Sequence, residues 1–114
     1  KFQRLEVYQL ALAYIKAVYL TSHQLPATEK YNLASQIERA AVSIALNIAE
    51  GSTGQSDLEQ NRFLGLALRS YLETITCLDL IEQFGYLSEN EILDLRKQGH
   101  QLFIKLSAFR RALR

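Results

Sequence analysis

Residues 36–51, QIERAAVSIALNIAEG, decide how the rest of the chain is read. At about 100° per residue, Leu33, Ile37, Ala40, Ala41, Ile44 and Ile48 gather on one side of a helix, a stripe able to build a core. Val42, Leu46 and Ala49 form a second apolar strip on the opposite side, and Gln36, Arg39, Ser43, Asn47 and Glu50 lie between the two. A helix that is apolar on two sides is buried on two sides. In a chain of 114 residues, the second cover comes most simply from another copy of the protein.

Three more helices follow from the flanking sequence. The first is expected over about residues 4–22, with Leu5, Tyr8, Leu12, Ile15 and Tyr19 recurring at steps of three and four as its core face. Val7, Leu10, Tyr14 and Val18 lie off that face, and between Leu5 and Leu20 the only charges are Glu6 and Lys16. So few charges on two successive helices point to self-association. Pro26 breaks the chain, Thr28 is the expected N-cap of the second helix (28–50) with Glu29 in its first turn, and Gly51 is its expected C′ residue. Ser56 and Glu59 are spaced as a capping box opening the third helix (57–84), whose core stripe is Leu64, Ala67, Leu68, Tyr71, Ile75, Leu78 and Ile81. Gly85 ends it. Ser88 and Glu91 form a second box before the fourth helix (89–113), where Ile92, Leu95, Gly99, Leu102, Leu106, Phe109 and Leu113 repeat at heptad spacing. Such a seam packs at the shallow angle of antiparallel bundles. The expectation is therefore all-α: one domain over residues 1–114, an up-down-up-down four-helix bundle.

Composition agrees. Hydrophobic residues are 48% and charged residues 22%, with one proline and five glycines, the balance of a globular helical domain. Cys77 stands alone, which excludes an intrachain disulfide and fits a reducing, cytoplasmic setting. No apolar run approaches the ~18 residues needed to span a membrane.

Signals for catalysis are weak. A di-iron bundle needs Glu-x-x-His on two helices, but Leu20 precedes His23 by three residues and Lys97 precedes His100. No metal and no cofactor is expected. Glu50 and Glu73 have basic or polar residues nearby. Arg39, Ser43, Asn47 and Glu50 share one strip, and Arg69 lies four residues before Glu73, so the six are expected to form a structural polar network rather than an acid/base pair. Cys77 sits in a hydrophobic run with no histidine base assigned to it. Gly51-Ser52-Thr53-Gly54 follows a helix and lacks the lysine of a phosphate loop. A non-enzymatic role is expected.

Charge placement says more than total charge. Up to Asp94 there are seven Lys or Arg against twelve Asp or Glu; from Leu95 onward there are six basic residues and no acidic one. Arg96, Lys97, His100, Arg111 and Arg114 project mainly from one sector of the fourth helix, with Arg110 at its margin. Together they form a candidate face for RNA or DNA phosphates. Cations near a helix C-terminus also meet the helix dipole favourably, which accounts for Arg110, Arg111 and Arg114 but poorly for Arg96 and Lys97.

QIERAAVSIALNIAEG resembles the signature of the four-helix-bundle proteins encoded by intervening sequences of bacterial 23S rRNA genes, a family that includes the accessory variability determinants of diversity-generating retroelements. LEVYQLALAYIKAVYL (5–20), LPATEKYNLASQ (25–36), SDLEQNRFLGLALRSYLET (56–74) and FGYLSENE (84–91) resemble further family blocks in family order. The resemblance implies a homopentamer of antiparallel bundles. It also implies an adaptor without catalysis that binds nucleic acid and a reverse transcriptase; the alternative is a purely structural or protein-interaction oligomer. The chain departs from the family in carrying Glu38 where members often have a second basic residue, and Ala45 where many have a proline.

Overall fold

The computed structural model describes residues 1–54 and 56–113. Four helices carry the described chain: α1 (Glu6–Ser22), α2 (Leu33–Gly51), α3 (Asp57–Gln83) and α4 (Leu93–Ala112), with short 3-10 turns at Phe2–Arg4 and Ala27–Glu29. No strand occurs among the described residues. Each helix packs on its chain neighbour and α1 closes the layer against α4, giving a particle of 43 × 24 × 20 Å.

The core runs through all four helices. From α2 it takes the expected Leu33, Ile37, Ala40, Ala41, Ile44 and Ile48, and from α4 Leu95, Gly99, Leu102 and Leu106, with Ile92 at the N-cap of that helix. Phe109 and Leu113 pack against it while half-buried. In α3, Leu64, Ala67, Tyr71, Leu78 and Ile81 are buried as expected, and Leu68 and Ile75 are half-buried beside them.

Helix α1 corrects the sequence expectation. Its buried face is Val7, Ala11, Tyr14, Val18 and Ser22, which takes in Val7, Tyr14 and Val18 from off the expected face but leaves Leu10 half-buried, whereas of the expected face Leu12 is 41% exposed and Leu5, Tyr8, Ile15 and Tyr19 are half-buried. Apolar bulk is a poor guide here because both strips have it. Two other features fit the buried strip: small Ala11, and partners for the polar groups it buries, with Ser22 Oγ donating to Glu38 and to the Tyr19 carbonyl. The Tyr14 hydroxyl lies 2.8 Å from Thr74 Oγ1, which in turn donates to the Tyr71 carbonyl at 2.6 Å. Burial of the phenol pushes its pKa up to about 12. A buried hydroxyl without that partner would cost about 1–3 kcal/mol.

Helix ends also differ from expectation in instructive ways. Helix α2 starts at Leu33, not near residue 28, because the chain after Pro26 makes a 3-10 turn. Glu29 still serves the helix: one carboxylate oxygen accepts from the Leu33 amide at 3.3 Å and the other from the Tyr86 hydroxyl at 2.7 Å. Gly51 is not a left-handed cap; it is the last, buried residue of α2, and a Cβ there would lie 2.7 Å from Phe63 Cβ. The glycine lets α2 and α3 approach closely.

Only half of the first capping box forms. The Glu59 amide donates to Ser56 Oγ, while the Glu59 carboxylate turns to Arg62. The second box closes in both directions between Ser88 and Glu91, within a turn that precedes α4, so α4 starts at Leu93 and not near residue 89. Gly85 has φ +75 and ends α3 as expected, with its amide on Glu82 O and the Tyr86 amide on Ile81 O, the paired bonds of a Schellman turn.

Candidate nucleic-acid interface

The basic residues of α4 divide into two groups. Arg96 points at α3, where its guanidinium donates to Glu82 at 2.8 Å and Asp79 at 2.9 Å. Partial burial pulls the Arg96 pKa down, but the hydrogen bonds to Glu82 and Asp79 outweigh it, and the net shift is upward. This cation is occupied within the bundle. Arg110 is occupied too. Its Nε donates to Asn61 Oδ1 at 3.2 Å, Asn61 Nδ2 donates back to the Arg110 carbonyl at 3.3 Å, and the guanidinium lies over Gly65, where a Cβ would be 2.9 Å away.

Lys97, His100 and Arg111 form the second group. All three are exposed and make no ion pair among the described residues. His100 stacks on half-buried Phe103 at 6.3 Å between ring centroids. By helical position, exposed Leu93 and Ile104 share their sector. Arg114, the sixth expected residue, lies outside the described residues. Lys105 turns to the other flank and meets Glu6 of α1 at 3.5 Å.

The residues expected to form a polar network divide similarly. Asn47 Nδ2 donates to the Ser43 carbonyl at 2.9 Å and to Ser43 Oγ at 3.1 Å, and Ser70 Oγ donates to Ser43 Oγ at 2.9 Å. Ser43 and Asn47 are thus bonded directly, and Ser43 is tied to α3 by Ser70, a residue the sequence reading passed over. Ser70 is almost fully buried, and its signal was a run of small side chains, Ala67, Ser70, Thr74 and Cys77, at helical spacing on the buried face of α3. The side chains of Arg39, Glu50, Arg69 and Glu73 are exposed and make no hydrogen bond or ion pair among the described residues.

Arg39 and Glu73 instead line an open groove of about 450 Å³ between α2 and α3, with Cys77 in its wall. The Cys77 thiol is pushed up by burial and by the nearby Glu73 charge, which keeps it protonated and poorly nucleophilic. No group of three His, Cys, Asp or Glu among the described residues is arranged to hold a metal ion. No helix of the described chain is long and apolar enough to cross a membrane.

A family model described as 23S rRNA-intervening sequence protein matches residues 3–108. Among solved structures, the chain is similar to a protein of unknown function from the S23 ribosomal protein family of Bacteroides thetaiotaomicron. The two are 21% identical over 90% of this chain and 96% of that one, with a TM-score of 0.82. At that identity the likeness speaks for the fold alone. No curated protein matches the chain.

Proposed function

Because the chain belongs to the family of 23S rRNA-intervening sequence proteins, we propose that it is a non-enzymatic, oligomeric scaffold or accessory protein. It engages nucleic acid, or a nucleic-acid enzyme such as a retroelement reverse transcriptase, through the outer face of α4. One observation carries this: Lys97, His100 and Arg111 are exposed and free of ion pairs among the described residues, on a segment with no acidic residue from Leu95 onward. Cations placed so contact phosphates in a way that depends on salt and little on sequence.

The finer architecture that goes with this proposal is an up-down-up-down bundle. It is supported by contacts between helix ends: Ser22 with Glu38, Glu6 with Lys105, Asn61 with Arg110, and Arg96 with Asp79. Three of them pair the start of one helix with the end of its neighbour, and Glu6 at the start of α1 meets Lys105 in the second half of α4. The homopentamer implied by the family resemblance would repeat the α4 face around a symmetry axis, turning a modest patch into an extended one.

A second reading, a structural or protein-interaction oligomer without nucleic-acid binding, is favoured by the occupation of Arg96 and Arg110 inside the bundle. Fluorescence anisotropy of labelled structured RNA and duplex DNA separates the two. A Lys97→Ala/His100→Ala/Arg111→Ala variant spares Arg96 and Arg110, so the bundle stays intact. Binding that this variant loses supports the proposal; absent binding, or binding the variant keeps, refutes the α4 face.

A further inference from the structure

We propose that the groove between α2 and α3 binds a small zwitterion, a ligand whose carboxylate and ammonium groups lie close together on an apolar skeleton, as in a free α-amino acid or a short peptide. The site is separate from the α4 face and does not depend on nucleic-acid binding. Two contacts fix the register of its walls. Ser70 Oγ donates to Ser43 Oγ at 2.9 Å, and Gly51 lies against Phe63, so moving back along α2 from Ser43 means moving forward along α3 from Ser70. Arg39 thereby stands level with Glu73, and Leu33 with Leu80. All four line the groove, with Ala40 and Cys77 between them.

The groove is charged at one end and apolar at the other. Arg39 and Glu73 stand on opposite walls, both exposed, and neither makes a hydrogen bond or ion pair among the described residues. Neighbouring charges that could cancel them are engaged elsewhere: Glu38 accepts from Ser22 on the α1 side, and Asp79 is held by Arg96 on the α4 side. Leu33 and Leu80 lie about 9 Å further along, at about 1.5 Å per residue. Leu80 is 38% exposed, whereas Ala40 and Cys77 are buried and form the floor.

Charge complementarity selects the ligand class. An anion on Arg39 also faces the Glu73 carboxylate, and a cation on Glu73 also faces the Arg39 guanidinium, so a ligand of one sign is repelled by one wall. A phosphate backbone is disfavoured on that ground. A ligand with both signs gains a charge-assisted hydrogen bond on each wall. The groove volume of about 450 Å³ falls within the roughly 300–1,000 Å³ of small-molecule sites. Arg39 holds the carboxylate, Glu73 holds the ammonium group, and the apolar skeleton lies over Ala40 and Cys77 towards Leu33 and Leu80.

Isothermal titration calorimetry tests the site with L-phenylalanine, glycyl-phenylalanine, and two fragments that each lack one charge, 3-phenylpropanoate and 2-phenylethylamine. The wild-type protein is compared with Arg39→Ala, Glu73→Gln and, as a control on α4, Lys97→Ala; circular dichroism confirms that each variant stays helical. The wild type is expected to bind at least one zwitterion, and each fragment at least about 10-fold more weakly. Arg39→Ala and Glu73→Gln are each expected to weaken zwitterion binding at least about 10-fold, the modest end of what a hydrogen bond to a charged group is worth, while Lys97→Ala leaves it unchanged. Tighter L-phenylalanine assigns the groove to a free amino acid, and tighter glycyl-phenylalanine to a peptide. The proposal is overturned if neither zwitterion binds with Kd below about 1 mM, if Arg39→Ala and Glu73→Gln keep the binding, or if a fragment binds as well as the zwitterion.

Discussion

Replacing Gly51 with alanine separates two accounts of the same glycine. As an ordinary helical residue, Gly51→Ala gains up to about 1 kcal/mol from helix propensity. In the structure the added methyl would sit 2.7 Å from Phe63 Cβ and 3.5 Å from the Gln60 Cα and carbonyl oxygen. Phe63 Cβ is fixed directly to the α3 backbone, so no rotamer change relieves the contact and the two helices must separate. Overpacking costs about 1–3 kcal/mol, and a contact that no rotamer change relieves belongs in the upper part of that range, about 2–3 kcal/mol, so the net loss is about 1–2 kcal/mol. Urea unfolding followed by circular dichroism reads this as a lower midpoint at unchanged slope, and thermal melting as a fall of roughly 5–10 °C. Combining the change with Phe63→Ala gives no relief, because alanine keeps the Cβ that makes the contact. A neutral or stabilising Gly51→Ala, or rescue by Phe63→Ala, would refute the close approach of α2 and α3.

Other expectations are equally concrete. The buried Tyr14, raised to about 12 from an ordinary 10.0, keeps its proton in the folded state while the unfolded chain loses it. Its contribution is complete below pH 10 and is lost as pH rises towards 12, on the order of 2–3 kcal/mol in all; ultraviolet titration should show phenol ionisation reaching towards pH 12, and Tyr14→Phe should remove its last step. Arg96→Ala leaves Asp79 and Glu82 without their cation. Because Asp79 is 66% exposed, the loss should be only about 1 kcal/mol in urea unfolding, and a loss above about 3 kcal/mol would contradict the solvated geometry. Tyr86→Phe frees the Glu29 carboxylate that also holds the Leu33 amide; hydrogen exchange should quicken at Leu33, and unchanged protection would contradict the link. The Tyr86 pKa is raised chiefly by its bond to Glu29, so this link is intact below pH 10 and is lost as pH rises through the ionisation of the phenol.

Much of the architecture was legible because one residue pattern answered one question. The heptad seam of α4 offered a single apolar face, buried from Ile92 to Leu106 with Phe109 and Leu113 half-buried, and in α2 the six-residue stripe outweighed the opposite strip of Val42, Leu46 and Ala49 and is the one buried. Helix α1 offered two, and periodicity alone does not choose between strips of similar hydropathy. The choice lay in a bond from Tyr14 to Thr74, sixty residues away, which local spacing does not contain. Gly51 was ambiguous for a related reason: a glycine at a helix end serves equally as a cap or as a close contact, and only the position of Phe63 decides.

At the candidate site, the helical wheel placed Lys97, His100 and Arg111 in one sector. It did not show that Arg96 would find Asp79 and Glu82 on α3, or that Asn61 would hold Arg110. Those pairs join residues 14 to 49 positions apart. The charge count after Leu95 therefore overstated the number of cations free to meet a ligand.

The most direct test of the account is the salt dependence of RNA binding, measured by anisotropy for the wild-type chain and for Lys97→Ala/Arg111→Ala. If the outer face of α4 contacts phosphates, wild-type affinity falls steeply with salt and the variant reduces the slope of log K against log salt by about two. An unchanged slope, or no measurable binding by the wild-type chain at low salt, would contradict the α4 interface.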